Sequence, residues 1–111
     1  MTSLDRVART VLERRYLRQD ADGVVIETPD ELFRRVAANV ARGEAAFGGD
    51  VARIERRFYE TLRSLEFLPN SPTLMNAGTD LQQLAACFVL PIEDSIESIF
   101  TTLKRAALVH Q

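Results

Sequence analysis

Cys87 is the only cysteine in the chain, and it follows a stretch crowded with hydroxyl and amide side chains. From Leu68 to Pro91 the chain reads LPNSPTLMNAGTDLQQLAACFVLP and holds three of the four prolines. Pro69 and Pro72 push Leu68 and Ser71 toward extended conformations, so a stiff loop is expected here. Asn70, Ser71, Thr73 and Asn76 put amides and hydroxyls on that loop, the groups by which a site holds a small polar ligand. Gly78 supplies a positive φ or a close backbone approach. A well-ordered helix-to-strand connector, with polar groups satisfying only their own backbone, fits the same residues. Cys87 then opens the apolar run Cys87-Phe88-Val89-Leu90, which suits a strand buried on both faces. A thiol at the end of such a strand is placed to open into a cleft, with Ala85 and Ala86 leaving room for a close approach. A packed, inert cysteine accounts for the position equally well.

Other chemistries are excluded by count. One cysteine and one histidine cannot build a self-contained zinc, haem or iron–sulfur site from those ligands, nor an intrachain disulfide. A length of 111 residues fits one small domain, and 46% apolar with 27% charged residues is globular rather than disordered. The net charge of −2, with both signs interspersed, leaves no electrostatic footprint for nucleic acid. The first twenty residues carry arginines and no unbroken apolar segment, so no signal peptide is expected. No apolar run approaches the roughly 20 residues that cross a bilayer. The chain reads as cytoplasmic.

The elements that must position the loop are mostly helical. Leu4, Val7, Val11 and Leu12 recur at helical spacing to about Leu17, with Ser3 or Thr2 as cap. A turn over residues 19–23 leads into Val24-Val25-Ile26, a β-branched run expected to pair locally or along an edge. Thr28-Pro29-Asp30-Glu31 is a helix start with a capping box. The helix it opens presents Leu32, Phe33, Val36 and Val40 on one side and stops near Phe47, before Gly48-Gly49. Asp50 caps a third helix with Val51, Ile54, Phe58, Leu62 and Leu65 inward. Arg53 and Arg57, with Glu60 nearby, lie on its solvated, ion-paired face. Asp94 caps the last helix, whose stripe of Ile96, Ile99, Phe100, Leu103 and Ala107 is expected to be buried. That helix reads as unfinished at Gln111, as in a sequence cut from something longer. The expected fold is mainly α with a short β element: four helices plus one apolar strand.

The motif SPTLMNAG, followed by AACFVLP and then DSIESIF, resembles the N-terminal part of a ribonucleotide reductase large subunit, nearest to the adenosylcobalamin-dependent class II. The lead-in segments Val11-Leu12-Glu13-Arg14-Arg15-Tyr16 and Val25-Ile26-Glu27-Thr28-Pro29 are similar to that class as well, so the resemblance runs from about residue 10 onward. It implies an enzyme that makes deoxyribonucleotides for DNA synthesis and repair by thiyl-radical chemistry with a redox cysteine pair. Cys87 falls on the first thiol of that pair, its partner lying beyond Gln111. Ser71, Thr73 and the backbone of Ala86 and Cys87 fall on the substrate pocket, and Asp94, Ser95 and Ile96 on the effector site. Relatives often carry a serine just before the cysteine; here Ala85 and Ala86 leave that contact to the backbone.

The resemblance further implies residues 1–67 as a helical N-terminal region and 68–111 as the start of the catalytic domain. Cys87–Leu90 would then be the first strand of a ten-stranded α/β barrel. The implied cofactor is adenosylcobalamin, with no contacts in this stretch and no metal site. The implied partners are a ribonucleotide, a nucleoside triphosphate effector, a thioredoxin-like reductant, the remainder of the reductase chain and a second copy of it. Nucleic acid and membrane are not among them, and the stretch is not expected to turn over alone. Two other readings stand beside this one. An iron- or manganese-dependent reductase shares the proline–threonine and cysteine pattern. A free-standing helical module would bind a partner protein and carry a buried, inert Cys87.

Overall fold

Five α-helices and a 3₁₀ turn, with their connections, make up residues 4–111, the part of the chain that this computed structural model describes. The helices are α1 (Arg6–Arg15), α2 (Pro29–Ala41), α3 (Val51–Arg63), α4 (Ser71–Asn76) and α5 (Ile96–His110), with the 3₁₀ turn at Arg42–Phe47.

Helix α2 is the centre of the packing, and its start is local chemistry. Thr28 Oγ1 accepts from the Glu31 backbone N–H, and the Glu31 carboxylate accepts from the Thr28 N–H at 2.7 Å. Pro29 occupies a first-turn position where no amide donor is needed. Replacing Thr28 by alanine therefore costs about 1 kcal/mol of stability, read as a lower urea midpoint with an unchanged slope. The inward face of α2 carries Leu32, Phe33, Val36, Ala37 and Ala41. It packs with Leu17, Leu62, Leu74 and Ala77 into one core, with Leu12, Tyr16, Tyr59 and Leu84 at its edge. Val40 belongs to the outer side and is 41% exposed. The regular helix ends at Ala41, and the 3₁₀ turn carries the chain to Gly48, whose φ of 71° completes the stop.

Asp50 caps α3 as expected, accepting from the Arg53 N–H at 3.0 Å. The pairing of Arg53 or Arg57 with Glu60 does not form: among the described residues the ion pairs are Arg34–Asp30 and Arg35–Glu27. The α3 side chains are long, exposed and hydrated, so such contacts return little. Of the α3 apolar stripe only Leu62 is buried. An open apolar groove of about 350 Å³ remains between α2 and α3, framed by Val36, Val40, Ile54, Phe58 and Phe67. It shares no residue with the Ser71–Cys87 segment.

Three expectations about the chain's path are corrected. The cap proposed at Ser3 or Thr2 lies outside the described residues, and Asp5 caps α1, accepting from the Ala8 N–H at 2.7 Å. The segment after Asn70 is a helix, not an extended loop. Asn70 Oδ1 accepts from the Thr73 N–H, and Pro72 sits in the first turn, where a missing N–H costs nothing. That arrangement admits Ser71 as the first helical residue despite the proline after it. Helix α5 is capped by Ser95, not Asp94: Ser95 Oγ accepts from the Ser98 N–H at 3.1 Å.

The β part of the expected fold is absent. The structure among the described residues is helical, without a strand. Val24-Val25-Ile26 does fold back locally, around Gly23 at φ 80°, but the pairing amounts to one isolated bridge between Gln19 and Val25. Cys87–Leu90 forms no ladder at all. An apolar run becomes a strand only when another backbone lies beside it to take its N–H and C=O groups. No described segment does so here, and Val89 is 97% exposed. The stripe on α5 is likewise uncovered: none of its residues is buried, and Phe100 and Leu103 are 65% and 63% exposed. No described helix is long and apolar enough to cross a membrane.

Candidate functional site

The site grows out of α4 and the connection that follows it. Leu74 and Ala77 are buried against α2 and seat α4 on the core. The carbonyls at the C-terminal end of so short a helix lack partners of their own, and Arg35 of α2 supplies them. Its Nη1 donates to the Ala77 carbonyl at 2.6 Å and its Nη2 to the Leu74 carbonyl at 3.3 Å. The same guanidinium grips Glu27 in a two-pronged pair, Nε to Oε1 at 2.7 Å and Nη2 to Oε2 at 2.9 Å. Glu27 Oε2 also accepts from the Arg18 N–H at 3.1 Å. Both side chains are nearly out of water, 10% and 6% exposed for Arg35 and Glu27. Gly78 follows with φ 74°, and a Cβ there would stand 3.0 Å from the Arg35 stem, so this position needs glycine for both reasons.

The outward groups of α4 hold the next segment. Thr73 Oγ1 lies 2.5 Å from Asn70 Oδ1 and 3.1 Å from the Leu84 carbonyl oxygen, two acceptors for its single proton. Asn76 Nδ2 donates to the Gln83 carbonyl at 2.8 Å. Ser71 Oγ and Tyr16 Oη hydrogen-bond at 2.9 Å, tying α4 to the end of α1. On the outer edge, Asn39 and Gln82 exchange amide bonds at 3.2 and 2.7 Å, and Gln82 Oε1 also accepts from the Gly78 N–H at 2.9 Å. Gln83 and Leu84 are thereby pinned beside α4, and Ala85, Ala86 and Cys87 follow. The Cys87 thiol is free and, among the described residues, exposed.

The expected site residues thus fall into two groups. Ser71 and Thr73 share one helix that holds the backbone leading into Ala86 and Cys87. Asp94, Ser95 and Ile96 stand apart, on the entry to α5, where the bonds run locally: Glu93 N–H to Ser98 Oγ at 2.9 Å and Thr102 Oγ1 to the Pro91 carbonyl at 2.9 Å. A polar depression of about 350 Å³ there includes Glu93, Ser95, Ser98 and Arg105. Among the described residues no three His, Cys, Asp or Glu side chains converge to hold a metal ion. Sequence reasoning missed Glu27, Arg35, Asn39 and Gln82. The available signal was that Arg35 and Asn39 sit one turn apart, each three residues after a core position, Leu32 and Val36.

A second polar network clamps α2 to α3 away from this site. Tyr59 Oη donates to Asp30 Oδ1 at 2.5 Å, Arg34 bonds Asp30 at 2.8 Å and Tyr59 Oη at 2.9 Å, and its guanidinium lies 4.2 Å from the Tyr59 ring centre. The Tyr59 hydroxyl, and after it Arg34, hold the Asp30 carboxyl below its ordinary 3.8, while the bond to Asp30 raises the Tyr59 hydroxyl above its ordinary 10.0. A lowered acid stabilises above its unfolded value, and the gain disappears as pH falls below 3.8 through the folded value. A raised phenol stabilises below its unfolded value, and the gain disappears as pH climbs past 10.0. Tyr59→Phe should therefore flatten both limbs of a plot of Tm against pH; limbs identical to the parent's would contradict the pairing.

The family model described as Ribonucleotide reductase, all-alpha domain, matches residues 2–82. A vitamin B12-dependent ribonucleoside-diphosphate reductase of Mycobacterium tuberculosis is 55% identical over 105 residues, covering 94% of this chain and 15% of its own length. The protein of the same name from Thermoplasma acidophilum is 38% identical, over 91% of this chain and 20% of its own. A ribonucleoside-diphosphate reductase large subunit of Danio rerio is 41% identical over 99 residues, covering 88% of this chain and 12% of its own. The chain thus spans a fifth or less of the length of these relatives. Helical and without a strand among its described residues, in keeping with that family model's description, and matched by it over most of its length, the chain belongs to the ribonucleotide reductase large-subunit family and carries the family's all-alpha domain.

Proposed function

We propose that this chain supplies one redox thiol and part of the substrate pocket of a ribonucleotide reductase that converts ribonucleotides to deoxyribonucleotides. The observation that carries the reading is the exposed Cys87 thiol, held just past a segment that Thr73 and Asn76 bind from α4. In the proposed step Cys87 and a second thiol give up two electrons and two protons and become a disulfide. At the ribose 2′ carbon the C–O bond breaks, the oxygen leaves as water, and a C–H bond replaces it. The second thiol belongs to another part of the reductase, since this chain has one cysteine. A thioredoxin-like dithiol then exchanges with the disulfide and restores both thiols.

Thr73 and Ser71 bind the substrate. The Thr73 hydroxyl shares its proton between two acceptors, so it rotates toward a phosphate oxygen at the cost of one neutral hydrogen bond. The backbone of Ala86 and Cys87 completes that side of the pocket. Asp94, Ser95 and Ile96 contact the nucleoside triphosphate effector, and Arg105, in the depression that Ser95 also lines, offers a cation to its phosphates. Residues 1–67 form the helical N-terminal region and 68–111 begin the catalytic domain, completed by the remainder of the reductase chain and paired with a second copy. The names of the two vitamin B12-dependent relatives support adenosylcobalamin as the radical source.

Substrate binding is tested in the complete reductase by Thr73→Val. The expected result is a KM for ribonucleotide raised roughly tenfold, the worth of about one charge-assisted hydrogen bond, with the Gln83 carbonyl still held by Asn76 although the bond to the Leu84 carbonyl is lost. A KM equal to the parent's removes Thr73 from the pocket. Addition of adenosylcobalamin to the cofactor-free reductase should restore turnover, whereas restoration by iron or manganese instead overturns the cofactor assignment.

A further inference from the structure

We propose that Asn39 and Arg35, one turn apart on α2, are positioning residues for the Cys87 thiol. They set its place by fixing both ends of the turn at residues 77–82. The inference rests on the reading of Cys87 as a redox thiol.

The turn between α4 and Cys87 has neither a helix nor a strand to hold it, so its course depends on side chains reaching in from neighbouring helices. Arg35 takes the carbonyl at its start, Ala77. Asn39 takes its end through the reciprocal amide pair with Gln82, whose Oε1 also receives the Gly78 N–H across the turn. Gln82 itself has φ 48°, a left-handed conformation uncommon for a non-glycine residue, and the paired carboxamides hold its side chain in place there. Beyond the turn, the last carbonyl held from α4 is that of Leu84, three residues before Cys87. Three residues span at most about 10 Å, so the thiol stays within that reach of the Leu84 carbonyl that α4 holds. Arg35 seats α4 through the Leu74 and Ala77 carbonyls, and Asn39 holds Gln82 just ahead of Leu84. Because Arg35 and Asn39 belong to the most buried helix of the chain, they refer the thiol to the core.

Asn39→Leu and Gln82→Ala test the clasp without touching the buried ion pair. In the 111-residue chain, the backbone order parameters of amides 79–83 should drop from about 0.85 to below 0.6 in both variants, while those of α2 and α3 hold. Unchanged values in both variants overturn the inference. In the complete reductase, Asn39→Leu should lower kcat roughly 10- to 100-fold. The KM for ribonucleotide should change much less than kcat, because the Thr73 hydroxyl lies outside the clasp and only the Ala86 and Cys87 backbone shifts with it. The exchanged pair, Asn39→Gln with Gln82→Asn, should recover most of the loss. A loosened turn with unchanged kcat, or equal damage to kcat and KM without recovery, also overturns it. If Cys87→Ser leaves turnover intact, the redox reading fails instead, and the order parameters still report on the clasp.

Discussion

Cys87→Ser should leave the folding of this chain unchanged and abolish deoxyribonucleotide formation by the reductase that contains it. The two halves of the expectation have separate causes. The Cys87 side chain is exposed and belongs to no packed cluster, and surface substitutions away from special features shift stability by no more than about 0.5 kcal/mol. A serine hydroxyl, however, cannot end as a disulfide, so the two electrons needed at the ribose have no source. Urea unfolding of the 111-residue variant and turnover of the complete reductase variant check the two halves. Turnover within tenfold of the parent would remove Cys87 from the redox chemistry. The same turnover loss accompanied by unfolding of the short chain would contradict its exposed placement.

The largest stability effect is expected at the opposite end of the site, at Glu27 and Arg35. Glu27→Gln leaves an uncompensated guanidinium, 10% exposed, beside the core. Removing one partner of a buried pair costs about 3–5 kcal/mol, a large part of the stability of a domain this size. Replacing both, Glu27→Leu with Arg35→Met, should cost less than Arg35→Met alone, since no charge is stranded. What remains is the loss of donors to the Leu74 and Ala77 carbonyls and of the acceptor for the Arg18 N–H, about 1–3 kcal/mol for each such group left unsatisfied. Urea midpoints of the two single variants and the double variant decide the matter. A single variant losing under 1 kcal/mol would show that the pair holds nothing together.

The parts of this fold that were legible in the sequence are those written in a few adjacent residues. Thr28-Pro29-Asp30-Glu31 and Asp50 announce the starts of α2 and α3 because a cap and its targets lie within one turn. Helix α4 was hidden by Pro72. The same residue disfavours a helix that contains it centrally and suits one that begins just before it, and the deciding bond, Asn70 to the Thr73 N–H, is a choice between two local conformations. The strand expected at Cys87–Leu90 is absent for a different reason. A strand is a relation between two segments, and an apolar run records only one of them. Asn39 and Gln82 are 43 residues apart and Arg35 and Ala77 42, so no window of sequence contains either contact. Cys87, Ser71 and Thr73 stand out as a thiol and hydroxyls on a proline-rich stretch, but their assigned roles come from the resemblance to ribonucleotide reductases. The frame that holds them does not stand out, because arginine and asparagine at the border of an apolar stripe look like any solvated helix flank.

The redox role of Cys87 is tested most directly by one turnover of the complete reductase without external reductant, followed by alkylation and mass mapping of the thiols. The account predicts that Cys87 leaves the alkylated pool in proportion to the deoxyribonucleotide formed and is recovered in a disulfide with a second cysteine of the reductase. Stoichiometric product with Cys87 still fully alkylated would contradict it.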